Sequence, residues 1–338
     1  MARCRERFVV TTTILTATIL VVVALTNQAA AATINFGDIL VTDLAGSLIR
    51  VDAVTGGQTL ISSGGMFVAP FGIAIEFNGH ILVADEFAGA VFRVDPVSGN
   101  QMTLASNFIS PTAIAIDANG DIFVTDFLLG LSYSEKVSSP AVTRVDPATG
   151  TQTPVVLAGN TFCNPTGIAI DANGDLIVAD EGVQSVFRID PVSGAVTTLS
   201  SGGLFMDPVG IAIEANGNIL VGDFSVGIIR VDPVTGTQTL LTSGGSLVNP
   251  FHLALDLNGD ILVADFQADA VIRVNPTTGA QSIVSSGTGI FPAGIAIWKI
   301  STPIPTLSEW GMISLVLLLL STGTVMMHRR SLSPGTKR

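Results

Sequence analysis

The stretch "DANGDLIVADE", residues 171–181, sets Asp171, Asn173 and Asp175 around Gly174 and follows them with Asp180 and Glu181. Oxygen donors alternating around a glycine are what a calcium loop uses, but an EF-hand-type loop closes on a bidentate Glu at its twelfth position. Counted from Asp171, that position is Gly182. The stretch recurs as "EFNGH" at 76, "DANGD" at 117, "EANGN" at 214 and "DLNGD" at 256, with "INFGD" at 34, so the outer carboxylate becomes His80, Glu214 or Asn218 in some copies. A metal site tolerates such exchanges badly and a turn tolerates them well. Asn-Gly between two apolar runs is a tight hairpin, read here as a type I′ turn with positive φ at both central residues. No cofactor is expected, with calcium as the alternative.

Two further columns carry charge. Asp43, Asp85, Asp126, Asp180, Asp223 and Asp265 each end an apolar run such as "ILVAD". Arg50, Arg93, Arg144, Arg188, Arg230 and Arg273 each begin an "RVD"-like run. Antiparallel pairing of 81–85 with 91–95 would bring Asp85 and Arg93 onto one face, which predicts an Asp–Arg ion pair within about 4 Å in most copies. Asp bonded to the loop amides after it is the other bland reading. A ring of carboxylates gathering cations is the sharper one. Strict repetition argues for structure, because active sites break symmetry.

The irregular positions are the candidates for binding. His252 replaces the Gly72, Ala113, Gly167, Gly210 and Gly294 of the sister copies. Phe162 and Cys163 precede a "GIAI" run, and the insertion at 128–140 carries the sole tyrosine, Tyr133, with Lys136. His252, Phe162 and Tyr133 are assigned as ligand-contact candidates. A structural histidine, a buried small cysteine and an inert insertion are the alternatives. No catalytic residue or metal ligand is assigned.

Those residues hang on a repeat. The apolar pentads begin at residues 39, 81, 122, 176, 219 and 261, spaced by 42, 41, 54, 43 and 42. Each period holds four short β runs separated by turn residues, close to the roughly 40–45 residues of a propeller blade. Six such units predict an all-β fold over 33–300: a six-bladed β-propeller of four-stranded blades. The first pentad would pair with the last inner strand, Gly294–Ile297, to close the ring. The turns "DPVSG", "DPATG" and "DPVTG" place Pro and Gly where φ must be fixed or left-handed. Strand order puts His252, Phe162 and the insertion on one face and the Asn-Gly and Asp-Pro turns on the other.

The pattern "P-x-G-I-A-x-D-x-N-G-D-I-x-V-A-D…R-V-D-P-x-T-G" resembles NHL-type propellers and the streptogramin-lyase-like group. The resemblance implies the fold and leaves function open, since the superfold hosts lyases, lactonases and binding scaffolds. The lyases depend on His and Glu side chains, whereas this domain has only His80 and His252, and its inner strands read Ile-Ala-Ile almost throughout. A binding or structural module is the expectation, and a lyase or lactonase/hydrolase with its site at the channel mouth is the alternative.

Both ends read as addresses. Of 338 residues 12% are charged and 35 are glycine, and residues 33–300 hold 25 Asp and Glu against 8 Lys and Arg, which disfavours nucleic acid as a partner. Arg3, Arg5 and Arg7, an uncharged stretch and "TNQAAAA" make residues 1–32 a secretory signal peptide, with an uncleaved anchor as its rival. Its removal takes Cys4 and leaves Cys163 without a disulfide partner. Residues 301–309 form a linker, 310–327 an uncharged stretch long enough for a transmembrane helix, and 328–338 a basic cytoplasmic tail. Ile304, Pro305, Thr306, Leu307 and Trp310, followed by the apolar stretch and by Arg329 and Arg330, resemble the IPTL-CTERM sorting signal of Gram-negative bacteria. The resemblance implies export to the envelope or surface and an exosortase-type membrane protease as partner. A plain single-span anchor is the alternative. The small-molecule, glycan or protein ligand stays unidentified by sequence.

Overall fold

A computed structural model of the chain describes residues 34–128, 138–159, 161–287 and 291–300. The expected signal peptide at 1–32, Tyr133 and all that follows residue 300, the sorting residues and the 310–327 stretch included, lie outside the described residues.

Twenty-four strands, β1–β24, form six four-stranded antiparallel sheets. The second sheet is typical, with inner strand β4 (Pro70–Ile75), then β5 (Ile81–Asp85), β6 (Ala90–Val94) and outer strand β7 (Gln101–Ser106). Every second strand is buried along its whole length, because its two faces pack against neighbouring blades. The ring closes as expected: β24 (Pro292–Ile297) is the inner strand of the sheet begun by β1 (Ile39–Asp43), with Ile39 opposite Ile297. The fold is a six-bladed β-propeller.

The Asn-Gly stretches are hairpin turns of another type than expected. Asp117 N–H donates to the Asp121 carbonyl and Gly120 N–H to the Asp117 carbonyl. Gly120 has φ +90°, whereas Asn119 is not among the positive-φ residues. This is a type I turn closed by a left-handed glycine, the three-residue loop with a G1 bulge, in place of type I′. The Asp117 carboxylate accepts the amides of Asn119 and Asp121, so the acid that looked like a metal donor braces its own turn.

The Asp–Arg pairing is also corrected. The register sets Leu82 opposite Arg93 and Asp85 opposite Ala90. Arginine and aspartate therefore stand at opposite ends of the strand pair, three residues or roughly 10 Å apart. Each arginine pairs instead with a carboxylate of its own blade's Asn-Gly turn or its equivalent. Arg93 makes a two-pronged contact with Glu76 at 2.7 and 2.6 Å, and Arg230 one with Glu214 at 2.8 and 2.7 Å. Arg50 pairs with Asp38, Arg144 with Asp121, Arg188 with Asp171 and Arg273 with Asp256. Arg93 also donates to the Pro147 carbonyl in the next blade's Asp-Pro turn, 2.7 Å away, and so fastens two blades together.

The aspartates at the other end bind backbone amides. Asp85, fully buried, accepts from Val68 and Ala69 in the segment entering its blade and from Ala88 in the turn after it. Asp180 and Asp265 repeat the arrangement with Cys163, Asn164 and Val183, and with Val248, Asn249 and Ala268. At Asp126 burial outweighs the two amide bonds it accepts and pushes its carboxyl up to about 6.

Two stability measurements follow. A double-mutant cycle by urea unfolding should give Glu76→Ala with Arg93→Ala a coupling of about 1–3 kcal/mol, and Asp85→Ala with Arg93→Ala one within about 0.5 kcal/mol of zero. A large Asp85–Arg93 coupling would restore the discarded pairing. Unfolded Asp126 releases its proton near the ordinary 3.8 and folded Asp126 near 6, so the folded state holds the extra proton between these values. Its contribution to stability should therefore fall as pH rises through that window, by an amount on the order of 2–3 kcal/mol in all. Asp126→Asn should flatten the slope of unfolding free energy against pH there, and an unchanged slope would refute the assignment.

Candidate functional site at the channel mouth

Each buried aspartate fixes the residue that follows it. Those residues are Leu44, Glu86, Phe127, Glu181, Phe224 and Phe266, one per blade, and all six line a cavity of about 490 Å³. The second residues of the inner strands complete its wall, among them Phe71, Thr112, Thr166, Val209 and Phe251. The cavity therefore opens where the inner strands begin, on the face away from the Asn-Gly and Asp-Pro turns. Its volume is that of a small-molecule site.

The wall is divided. Phe251 is the hub of an aromatic half, with ring centroids 5.0 Å from Phe71, 5.4 Å from Phe224 and 5.9 Å from Phe266. Tilted and edge-to-face contacts of this kind hold rings in place. The other half presents Glu86, Thr112, Thr166 and Glu181 around Phe127, with Asp207 and Ser225 beside them. Glu86 accepts from the Ser110 hydroxyl at 3.1 Å, and Asp207 from the Ser225 hydroxyl. Among the described residues none of the three cavity carboxylates has an ion-pair partner. Burial pushes the Glu181 carboxyl above its ordinary value, and Asp207, Asp180 and Asp223 push it further. Glu86 is raised by burial, with Asp85 adding and the Ser110 bond opposing. Both hold a proton more tightly than a free glutamate does.

Of the residues singled out in the sequence, His252 and Phe162 do not line this cavity, and Tyr133 lies outside the described residues. Inner strand β20 (Pro250–Leu255) begins two residues before His252, which is buried behind the wall. Its Nδ1 lies 3.1 Å from the Ala293 carbonyl, and its ring meets Phe71 edge-on at 5.4 Å. Burial pushes the imidazole down to about 4, so the ring is neutral near pH 7. Glycine fills this position in four sister blades because the adjacent inner strand crowds it. A Cβ on Gly294 would stand 2.2 Å from the Phe71 carbonyl, and one on Gly167 2.1 Å from that of Val209. At His252 the facing residue is Ala293, and the imidazole Nδ1 lies within hydrogen-bond distance of its carbonyl. Phe162 is a core residue, 4% exposed and stacked obliquely on Phe187 at 4.8 Å. Cys163 serves through its backbone amide, which caps Asp180.

The cavity residues escaped the sequence reading although their signal was present. The residue after each pentad reads Leu, Glu, Phe, Glu, Phe, Phe, a column that varies between two that repeat. A second depression of about 570 Å³ between the fourth and fifth blades is open and lined by Ser, Thr and Gly with Leu199, Leu204 and Gln238. It carries no titratable group.

Comparison with known proteins fits this architecture. The propeller superposes on a chain of a nidogen/laminin complex with a TM-score of 0.67 at 17% identity, covering 78% of this chain and 99% of that one. It superposes on a streptogramin B lyase with a TM-score of 0.58 at 16% identity, covering 79% and 88%. For virginiamycin B lyase from Staphylococcus aureus the TM-score is 0.53 at 16% identity, with 75% and 86% covered. Likeness this distant establishes the fold alone. No curated protein matches the sequence. The NHL repeat matches residues 162–189 and the IPTL-CTERM motif residues 302–330. The chain is a six-bladed propeller with an NHL repeat in its fourth blade and, after the ring, a C-terminal sorting motif of exported proteins.

Proposed function

We propose that this propeller is an exported binding module of a Gram-negative cell envelope. An exosortase-type membrane protease processes its tail, and its mouth cavity holds a small, partly apolar ligand or a protruding group of a larger partner. The observation that carries the binding reading is the divided wall. The turns and clamps repeat around the ring, whereas the mouth sets an aromatic half against a carboxylate and hydroxyl half. Recognition sites combine apolar area with a few placed polar groups in this way. Among the structural relatives, the nidogen/laminin pair shows a propeller fold in a protein complex, which accords with a binding role.

A second reading, an enzyme at the same mouth, draws on Glu86 and Glu181. Two carboxyls with raised proton affinity on one cavity wall are what general acid–base chemistry uses. The readings differ in outcome: an enzyme would consume its ligand, and Glu→Gln changes would stop turnover while binding persisted.

A fragment screen by NMR tests the site. Small aromatic fragments should bind the wild type, and Ser225→Trp, at the exposed edge of the mouth, should weaken them about tenfold or more, a loss of roughly 1.4 kcal/mol. Binding that Ser225→Trp leaves untouched would put the site elsewhere. For the address, mature protein from wild-type cells should lack the residues after about Trp310, and replacing both Pro305 and Trp310 should leave an intact, membrane-retained chain. An intact C-terminus on the mature wild-type protein would refute the processing.

A further inference from the structure

We infer that the mouth cavity selects an organic cation, a positively charged nitrogen carried on an apolar body. The inference rests on the binding reading above and names its ligand class.

Among the described residues, the charged basic side chains are gathered on one face of the ring. The six arginines pair with turn carboxylates on the Asn-Gly face. Lys299 follows the end of β24 and so lies at that face too. Among the described residues the mouth face has no basic side chain other than His252, which is buried and neutral. Among the described residues, Glu86, Glu181 and Asp207 therefore line the cavity with no positive charge to answer them, and the buried aspartates behind them deepen the negative field.

Each ligand class meets that field differently. An anion is repelled. An uncharged apolar ligand displaces water from the carboxylates without replacing its hydrogen bonds, which costs free energy. A bare metal ion gains nothing from the aromatic half, and among the described residues no three His, Cys, Asp or Glu side chains are grouped to hold one. An organic cation satisfies both halves: its nitrogen answers Glu86, Glu181 and Asp207, and its body and charge lie against Phe71, Phe224, Phe251 and Phe266. Aromatic faces attract a cation within about 6 Å of the ring centre, most strongly where water is excluded.

The test keeps one apolar body and changes its charge. Benzylammonium, benzyl alcohol and benzoate are titrated into the mature protein and followed by NMR or calorimetry. The expected order is ammonium, then alcohol, then benzoate, with benzylammonium ahead of the alcohol by about tenfold, as one charge-assisted contact in a half-buried site provides. Glu181→Gln should erase most of that advantage and leave benzyl alcohol unchanged, with Glu86→Gln as the parallel variant should Glu181→Gln fail to fold. Equal or tighter binding of benzyl alcohol would overturn the cation inference and leave the binding reading standing. If none of the three binds and Ser225→Trp changes nothing, both fail. An ammonium preference that survives both Glu variants would also overturn the inference, because the carboxylates would not be its source.

Discussion

The carboxylate at the end of each second strand holds the ring together. A propeller blade touches the next through packed faces and through one covalent crossing, the segment from an outer strand to the following inner strand. That segment carries amides with no strand partner, and buried amides must be satisfied. Asp85 satisfies Val68 and Ala69 on the crossing and Ala88 on the turn beyond, so one side chain fixes blade entry and blade interior together. At the closing blade Asp43 accepts from Phe291 and Ala45, which ties the two ends of the ring in the same manner. The next residue of each blade inherits that rigidity, and those residues line the mouth.

The arginine column shows what the same geometry excludes. A guanidinium near the buried aspartates would compete with the amides for their oxygens. The pleat puts it three residues away, against the turn carboxylates, and there the pairing also bridges blades: Arg93 reaches Pro147, and Arg230 reaches Pro276. A second bridge runs around the outer rim. The Gln101 side chain donates to Ser62 and Gly64 and accepts from Met66 in the preceding blade, and Gln238 repeats this with Ser200, Gly202 and Leu204. With a single cysteine in the domain, packing and these polar bridges carry the stability.

How much was legible depended on whether the controlling force was local. Strand runs, hairpins and ring closure follow from alternation, turn chemistry and period, and all were readable. The Asp–Arg pairing went wrong by one register: displacing the β5–β6 alignment by a residue moves Arg93 toward Asp85, and only the full ladder fixes it. The turn type went wrong because Asn-Gly serves both a two-residue I′ loop and a three-residue loop with a bulge, and the Asx bond from Asp117 favours the second. His252 drew notice as an oddity in a glycine column, yet steric room decides its place. The ring lies buried against Phe71 with its Nδ1 at the Ala293 carbonyl.

The mouth was invisible for a more general reason. Glu86 and Glu181 follow buried aspartates, and in the linear sequence each looks like one more acid in an acidic chain. Their meaning comes from convergence: residues about forty positions apart meet because the blades repeat, and the aromatic half exists only once Phe71 from the second blade meets Phe251 from the sixth. A rigid ring with a variable lining separates the two demands on the sequence. The clamps must repeat for the ring to close, and the column beside them is free to differ blade by blade. Chemical specificity in such a fold should therefore be sought in the residue next to the invariant one. Here that residue changes from apolar to acidic twice, in the second and fourth blades, and Phe127 of the third stands between them.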